Sequence, residues 1–333
     1  PTSADAATTP AVKGPGLTLQ AEGRAVHVGP YRLAGRLVYC LDWGLMVGDG
    51  PVRQGTPSAR LDSEAKARVA TVVNTYGQAT DNRQAARVKL ALDTIVAPTD
   101  ARLRKALPGL LAQVTAADRT AVTGIVEASK THAPYRVTLS LPGAVTGQPG
   151  TLTATVLGSN GKPAPGVTVS AVLGGAATRN PVTARTNAKG LAVLPYTASR
   201  LAQSADVTVT GPSSTAIWTN TPSVGHQRMI GGGFTITAKA SASVTVCPLA
   251  VHVGADCACG QKTAKVTLDV AGRYPGSYLL TITVDDKLVQ QVPIHDTEKR
   301  TVTVEAPLGS TVTAGFAVLQ DRKSTRLNSS HDQ

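Results

Sequence analysis

Hydrophobic positions change period twice along this chain of 333 residues. Between residues 17 and 60, short alternating pieces (LTLQ, AVHVG and YRLAGRLVYCLDWGLMV) are separated by turn residues and end in a Gly- and Pro-rich loop. That pattern predicts short strands. From residue 62 to residue 131 apolar positions recur every three or four residues, the period of a helix. Asp62 or Ser63 can cap a first helix with the stripe Val69, Val72, Val73 and Tyr76, and Gly77 ends it. A second helix carries Val88, Ala91, Leu92 and Ile95 and stops at Pro98. A third runs from about Thr99 to Val114, with Pro108 breaking or kinking it. Thr115 and Asp118 form a capping-box variant opening a fourth helix with Val122, Ile125 and Val126, and His132-Ala-Pro134 closes the region.

From Tyr135 the period falls to two. Val137, Leu139 and Leu141 alternate with polar residues, as do Leu152, Ala154 and Val156, then Val167, Val169 and Ala171. Gly, Pro and Asn clusters divide these pieces at sandwich-like intervals. Residues 216–320 are strand-rich again, in FTITAKASASVTV, AKVTLDV, YLLTITVDD, KRTVTVEA and STVTAGFAVL. The expected fold is therefore mixed: an α+β head followed by two all-β, Ig-like sandwich modules. The expected divisions are a flexible segment 1–16, a head 17–133, a first sandwich 134–215, a second sandwich 216–320 and a tail 321–333.

Composition narrows the function. Hydrophobic residues are 42% of the chain, enough for packed cores. No stretch of about eighteen apolar residues occurs, so no helical membrane span is expected. The formal charge is +12, from 33 basic and 21 acidic residues. Those charges are scattered, and aromatics are only 3%, without the stacking residues of a nucleic-acid groove. Attraction to anionic wall polymers is the plainer consequence of the charge. The opening PTSADAATTPAVKGPG resembles a mature N-terminus after signal removal. The tail DRKSTRLNSSHDQ, Asp321 to Gln333, resembles a translated sequencing-library adapter. On that reading the sequon at Asn328 carries no meaning and the natural sequence continues beyond Gln320.

Two resemblances to known families add to this. SNGKPAPGVTVSAVL and TARTNAKGLAVLPYTA, with Gly161, Pro163, Gly166 and Gly190 at turn positions, are similar to bacterial Ig-like modules of surface proteins. LVYCLDWGL, with Cys40 at a strand end, followed by ARVATVVNTYGQATDNRQAARVKLALDTIV, resembles the thioester domains of Gram-positive, and especially actinobacterial, surface adhesins. The resemblance implies an internal thioester. A Cys thiolate attacks a Gln carboxamide, ammonia leaves, and a surface amine later captures the acyl group. Cys40 is the nucleophile position. The Gln of the motif aligns with Lys89, which has no carbonyl to be attacked. The nearest other acyl donor is Gln84, with Gln78, in the loop after Gly77, as a third candidate. Five residues on a helix separate the directions of Gln84 and Lys89, so only one of them can face Cys40.

The secreted context implied by these resemblances makes Cys247 paired with Cys257 or Cys259 the expected disulfide. A metal site adding His252 is the rival, but C-x9-C-x-C lacks the usual paired hooks. Asp285-Asp286 reads as a hairpin turn rather than a calcium site. The histidines before the tail (27, 132, 226, 252 and 295) are scattered, and no nucleophile elbow, phosphate loop or zinc-protease helix appears. No enzyme activity, cofactor or metal is expected. The expected role is that of a secreted cell-surface or cell-wall adhesin whose partner is a surface protein or polymer of a host or of its own wall. The alternatives are a purely structural or non-covalent stalk with a degenerate head, and the accessory region of an extracellular enzyme.

Overall fold

Short strands, helices and longer strands follow one another as the change of period implies. The computed structural model describes residues 11–57, 60–178, 180–246, 249–256, 261–272, 277–295 and 297–319. The three cysteines expected to form the disulfide, Cys247, Cys257 and Cys259, and the adapter-like tail lie outside the described residues. Strand residues outnumber helical ones, 47% against 20%, so the chain is mixed and β-rich. No described helix is long and apolar enough to cross a membrane.

The first elements are β1 (Val12–Lys13), β2 (Leu17–Ala21), β3 (Arg24–Val28), β4 (Tyr31–Leu33), β5 (Arg36–Cys40) and β6 (Val52–Gly55). Four α-helices follow: α1 (Ser63–Tyr76), α2 (Asn82–Val96), α3 (Ala101–Ala112) and α4 (Ala116–Ala128). Their starts are chemically defined. Asp62, Asp81, Asp100 and Thr115 each accept a hydrogen bond from a backbone N–H of the first turn. Thr115 and Asp118 close a reciprocal capping box. Pro108 lies inside α3 and does not end it. The helices pack their apolar faces on β2, β3 and the inward residues Tyr39 and Leu41 in one core with Val69, Val88 and Leu92.

The first sandwich contains β7 (Arg136–Ser140), β8 (Pro149–Leu157), β9 (Thr168–Gly174), β10 (Val182–Arg185), β11 (Leu191–Thr197) and β12 (Ala202–Pro212). Its two sheets enclose Leu152, Val169, Leu194 and Val207, alternate residues of each strand. The turn glycine Gly190 has φ +70°, and a Cβ there would also meet the Val156 carbonyl at 2.5 Å.

Strand pairing then departs from the expected boundary at residue 216. The chain returns to the head as β13 (Ile217–Asn220) and β14 (Met229–Gly231). Together they complete a six-stranded sheet of order β1-β4-β5-β14-β13-β6. The next strand, β15 (Thr235–Thr245), which lies within the FTITAKASASVTV run, pairs antiparallel with β12 and extends the first sandwich. Only afterwards do β16 (Leu249–Asp256), β17 (Thr263–Gly272), β18 (Ser277–Val284), β19 (Lys287–His295), β20 (Lys299–Pro307) and β21 (Val312–Val318) form two further three-stranded sheets. These bury Leu268, Tyr278, Ile282 and Ile294 between them. Asp285 and Asp286, at φ 50° and 62°, make the two-residue turn between β18 and β19, the geometry of a type I′ hairpin.

Asn74 on α1 fastens the returning segment. Its Nδ2 donates to the carbonyls of Ser213 (2.8 Å) and Ala216 (2.9 Å), while its Oδ1 accepts from the backbone N–H groups of Gly233 (3.0 Å) and Phe234 (2.9 Å). One side chain thus holds the chain both where it enters and where it leaves β13–β14. The approach is close: a Cβ on Gly232 would lie 1.8 Å from the Val73 carbonyl oxygen.

Candidate functional site

Cys40 is the last residue of β5, directly opposite Met229 of β14. Alternation along β5 separates its neighbours. Tyr39 and Leu41 point into the helical core, whereas Val38 and Cys40 join Tyr31, Leu33 and Met229 in a smaller cluster. The end of the strand is locked by the motif's own Asp42. Its carboxylate accepts from the Arg228 backbone N–H at 2.9 Å, from Arg228 Nε at 2.8 Å and from Arg228 Nη2. Burial raises the Asp42 pKa, but these contacts outweigh it and hold the carboxyl below the usual range.

A cavity of about 220 Å³ opens where β5 ends. Cys40, His27 and Tyr31 line it together with Trp43, and α2 contributes Lys89 and Asp93. Lys89 therefore shares the cavity wall with the cysteine. Gln84 does not: it is half-buried in the first turn of α2, and its Oε1 accepts from Arg87 at 3.4 Å. Arg83 and Arg87, on either side of it, bind Asp118 of α4. Gln78 is exposed after the end of α1. Neither glutamine contributes to the cavity wall.

The partner of Lys89 is Asp93, one helical turn on, and the sequence reading did not single it out. The two form an ion pair with side chains 8% and 4% exposed, so both charges are out of water. Such a pair is only marginally stabilising as a unit, but removing one member strands the other. Burial pushes the Asp93 carboxyl up, and Lys89 opposes that shift. Asp93 Oδ1 accepts from Lys89 Nζ, and Asp93 Oδ2 is buried without a hydrogen-bond partner. The signal available in sequence was a second charged residue on the i,i+4 row of an otherwise apolar helix face.

Cys40 is chemically quiet in this setting. Burial pushes its thiol up to about 12, with the Lys89 charge lowering it and the Asp93 charge raising it again. At neutral pH the group is a thiol, and the thiolate is the nucleophile. His27 offers little help as a base. Its Nε2 lies 3.1 Å from the Pro30 carbonyl oxygen, its ring stands edge-on to Tyr31 at 5.1 Å, and burial lowers its pKa. Among the described residues no group of three His, Cys, Asp or Glu side chains is arranged to hold a metal ion.

The cavity thus combines the Cys40 thiol, the His27 imidazole, a buried ion pair and the charged side chains of Lys13, Arg24 and Asp42, with no carboxamide contributed by α2. Gln227, from the loop before β14, does line the cavity, but its Nε2 donates to the Leu45 carbonyl at 2.9 Å. No protein-family model matches this chain, and no curated protein matches it either.

Proposed function

We propose that this chain is a surface-displayed binding protein of the thioester-domain type whose head has lost covalent capture and engages its partner non-covalently. The observation that carries this reading is the buried Lys89–Asp93 ion pair in the wall of the cavity that Cys40 also lines, at the helix position where the resemblance places the acyl-donor glutamine. An amine there cannot become the acyl group of a thioester, and a thiol held near 12 does not supply a thiolate at neutral pH. The serial β-sandwich architecture supports a displayed, extracellular role, and the net charge of +12 supports adhesion to anionic surfaces. The partner is a surface protein or polymer of another cell or of the protein's own wall.

Binding of the full chain to bacterial or host-cell surfaces tests the mode of attachment. All of the bound protein should be released by hot detergent, and methylamine pretreatment should leave the bound amount unchanged. A detergent-resistant adduct that methylamine or Cys40→Ala abolishes would restore the covalent mechanism and sink this reading.

A further inference from the structure

Hydrogen-bonding capacity is left over in one wall of the cavity. Lys89 Nζ has three hydrogens. One goes to Asp93 Oδ1, and no second acceptor for the others is found among the described residues. Asp93 is 3% exposed, and its Oδ2 has no partner. Both side chains line the cavity. A spare donor and a spare acceptor therefore stand side by side on two contacting groups, in surroundings where an unmade hydrogen bond is costly.

We propose that this cavity binds a primary carboxamide, presented by an asparagine or glutamine side chain of a partner polypeptide. The amide carbonyl accepts from Lys89 while the amide N–H donates to Asp93 Oδ2. Other ligand chemistries fit this wall less well. A carboxylate accepts from Lys89, and Lys13 and Arg24 in the same lining offset its charge, but it has no hydrogen to donate to Asp93 Oδ2. An alkylammonium ion donates to Asp93 but sets a second positive charge against Lys89. An alkylammonium ion also adds to the positive charge that Lys13 and Arg24 bring to the lining, and a carboxylate leaves the buried Oδ2 unpaired. A water molecule can donate and accept, but its share of liquid volume is only about 30 Å³, and the cavity measures about 220 Å³. The amide is neutral and planar, with its donor and acceptor on two adjacent atoms. Val26, Val47 and the Trp43 ring supply apolar surface for its aliphatic stem. The cavity's own carboxamide, Gln227, is engaged with Leu45. No bond to Cys40 is made or broken in this step.

The inference rests on the non-covalent reading of the head, and its test is separable, because a small amide reports on the cavity whether or not the full chain adheres to a surface. The full-length protein, labelled with ¹⁵N, is titrated in turn with propionamide, propionate, propylammonium and 1-propanol. The Trp43 indole and the backbone amides of Cys40 and Leu41 are followed by NMR. Propionamide should give saturable shifts, with the other three at least about tenfold weaker because each leaves a buried polar group unpaired or adds a charge. The shifts should vanish in the Lys89→Met/Asp93→Leu double variant and persist in Cys40→Ser. The order of the four probes on the unaltered protein decides the matter even if the double variant folds poorly. Equal responses, a different order or no saturable shift would overturn the proposal.

Discussion

Two residues four apart on α2 line the same cavity as Cys40. Lys89 and Asp93 are buried together, so their effects are strongly coupled. Asp93→Ala should destabilise the protein by about 3–5 kcal/mol, because it leaves an ammonium without its counter-charge in the interior. Replacing both by apolar residues, as in Lys89→Met/Asp93→Leu, should be neutral or better, to within about 1–4 kcal/mol. Urea unfolding of the single and double variants measures the difference. Equal losses in both would show that the pair contributes no coupled charge. At this scale the sequence was informative up to a point. Cys40 and the lysine at position 89, where the resemblance places a glutamine, were visible in it, and the helical period showed that Gln84 and Lys89 could not both face the cysteine. Which of them does so was not legible, because apolar neighbours flank both. Asp93 was missed, because an acid in DTIV reads as an exposed position until its neighbours in space are known.

At the scale of elements, the helices and most strands follow from local signals that the fold does not override. The caps at Asp62 and Thr115, the stop at Gly77 and the turn at Asp285-Asp286 act within a few residues of themselves. The third helix shows the limit of that reasoning, since Pro108 is accommodated inside it. Asn74 shows another limit, because its four hydrogen bonds reach residues 139 to 160 positions away. No local pattern marks an asparagine beside an apolar stripe as a clamp. Asn74→Ala should cost about 1–3 kcal/mol, since it leaves backbone groups at both ends of the returning segment without partners. Hydrogen exchange should speed up at Gly233 and Phe234 while the amides of α2 stay protected. Unchanged exchange there would mean that the clamp does not hold β13–β14 in place.

At the scale of the molecule, the chain does not fill its sheets in simple order. Strands β13 and β14, only four and three residues long, complete the head after the first sandwich has been traversed. Their brevity explains why sequence periodicity could not assign them, since three or four residues carry almost no pattern. The longer β15 was legible as a strand, but its partner was not, because alternation specifies a face and not a neighbour. The head sheet is interrupted between β5 and β6 unless β14 and β13 fill the gap. A fragment ending at residue 133 should therefore lack cooperative unfolding, whereas one ending at residue 246 should unfold cooperatively in urea. A sharp transition in the shorter fragment would contradict the interdependence of the first two units.

The most direct test of the central claim is the intact mass of the full-length protein before and after treatment with methylamine. The chain should have its calculated mass with no ammonia missing, and methylamine should add nothing. Peptide mapping should find Cys40 alkylated only after unfolding, as a thiol held near 12 by burial requires. A mass lower by one ammonia, recovered as a methylamine adduct and lost in Cys40→Ala, would establish a thioester and contradict the account of Lys89 as the residue that ended covalent capture.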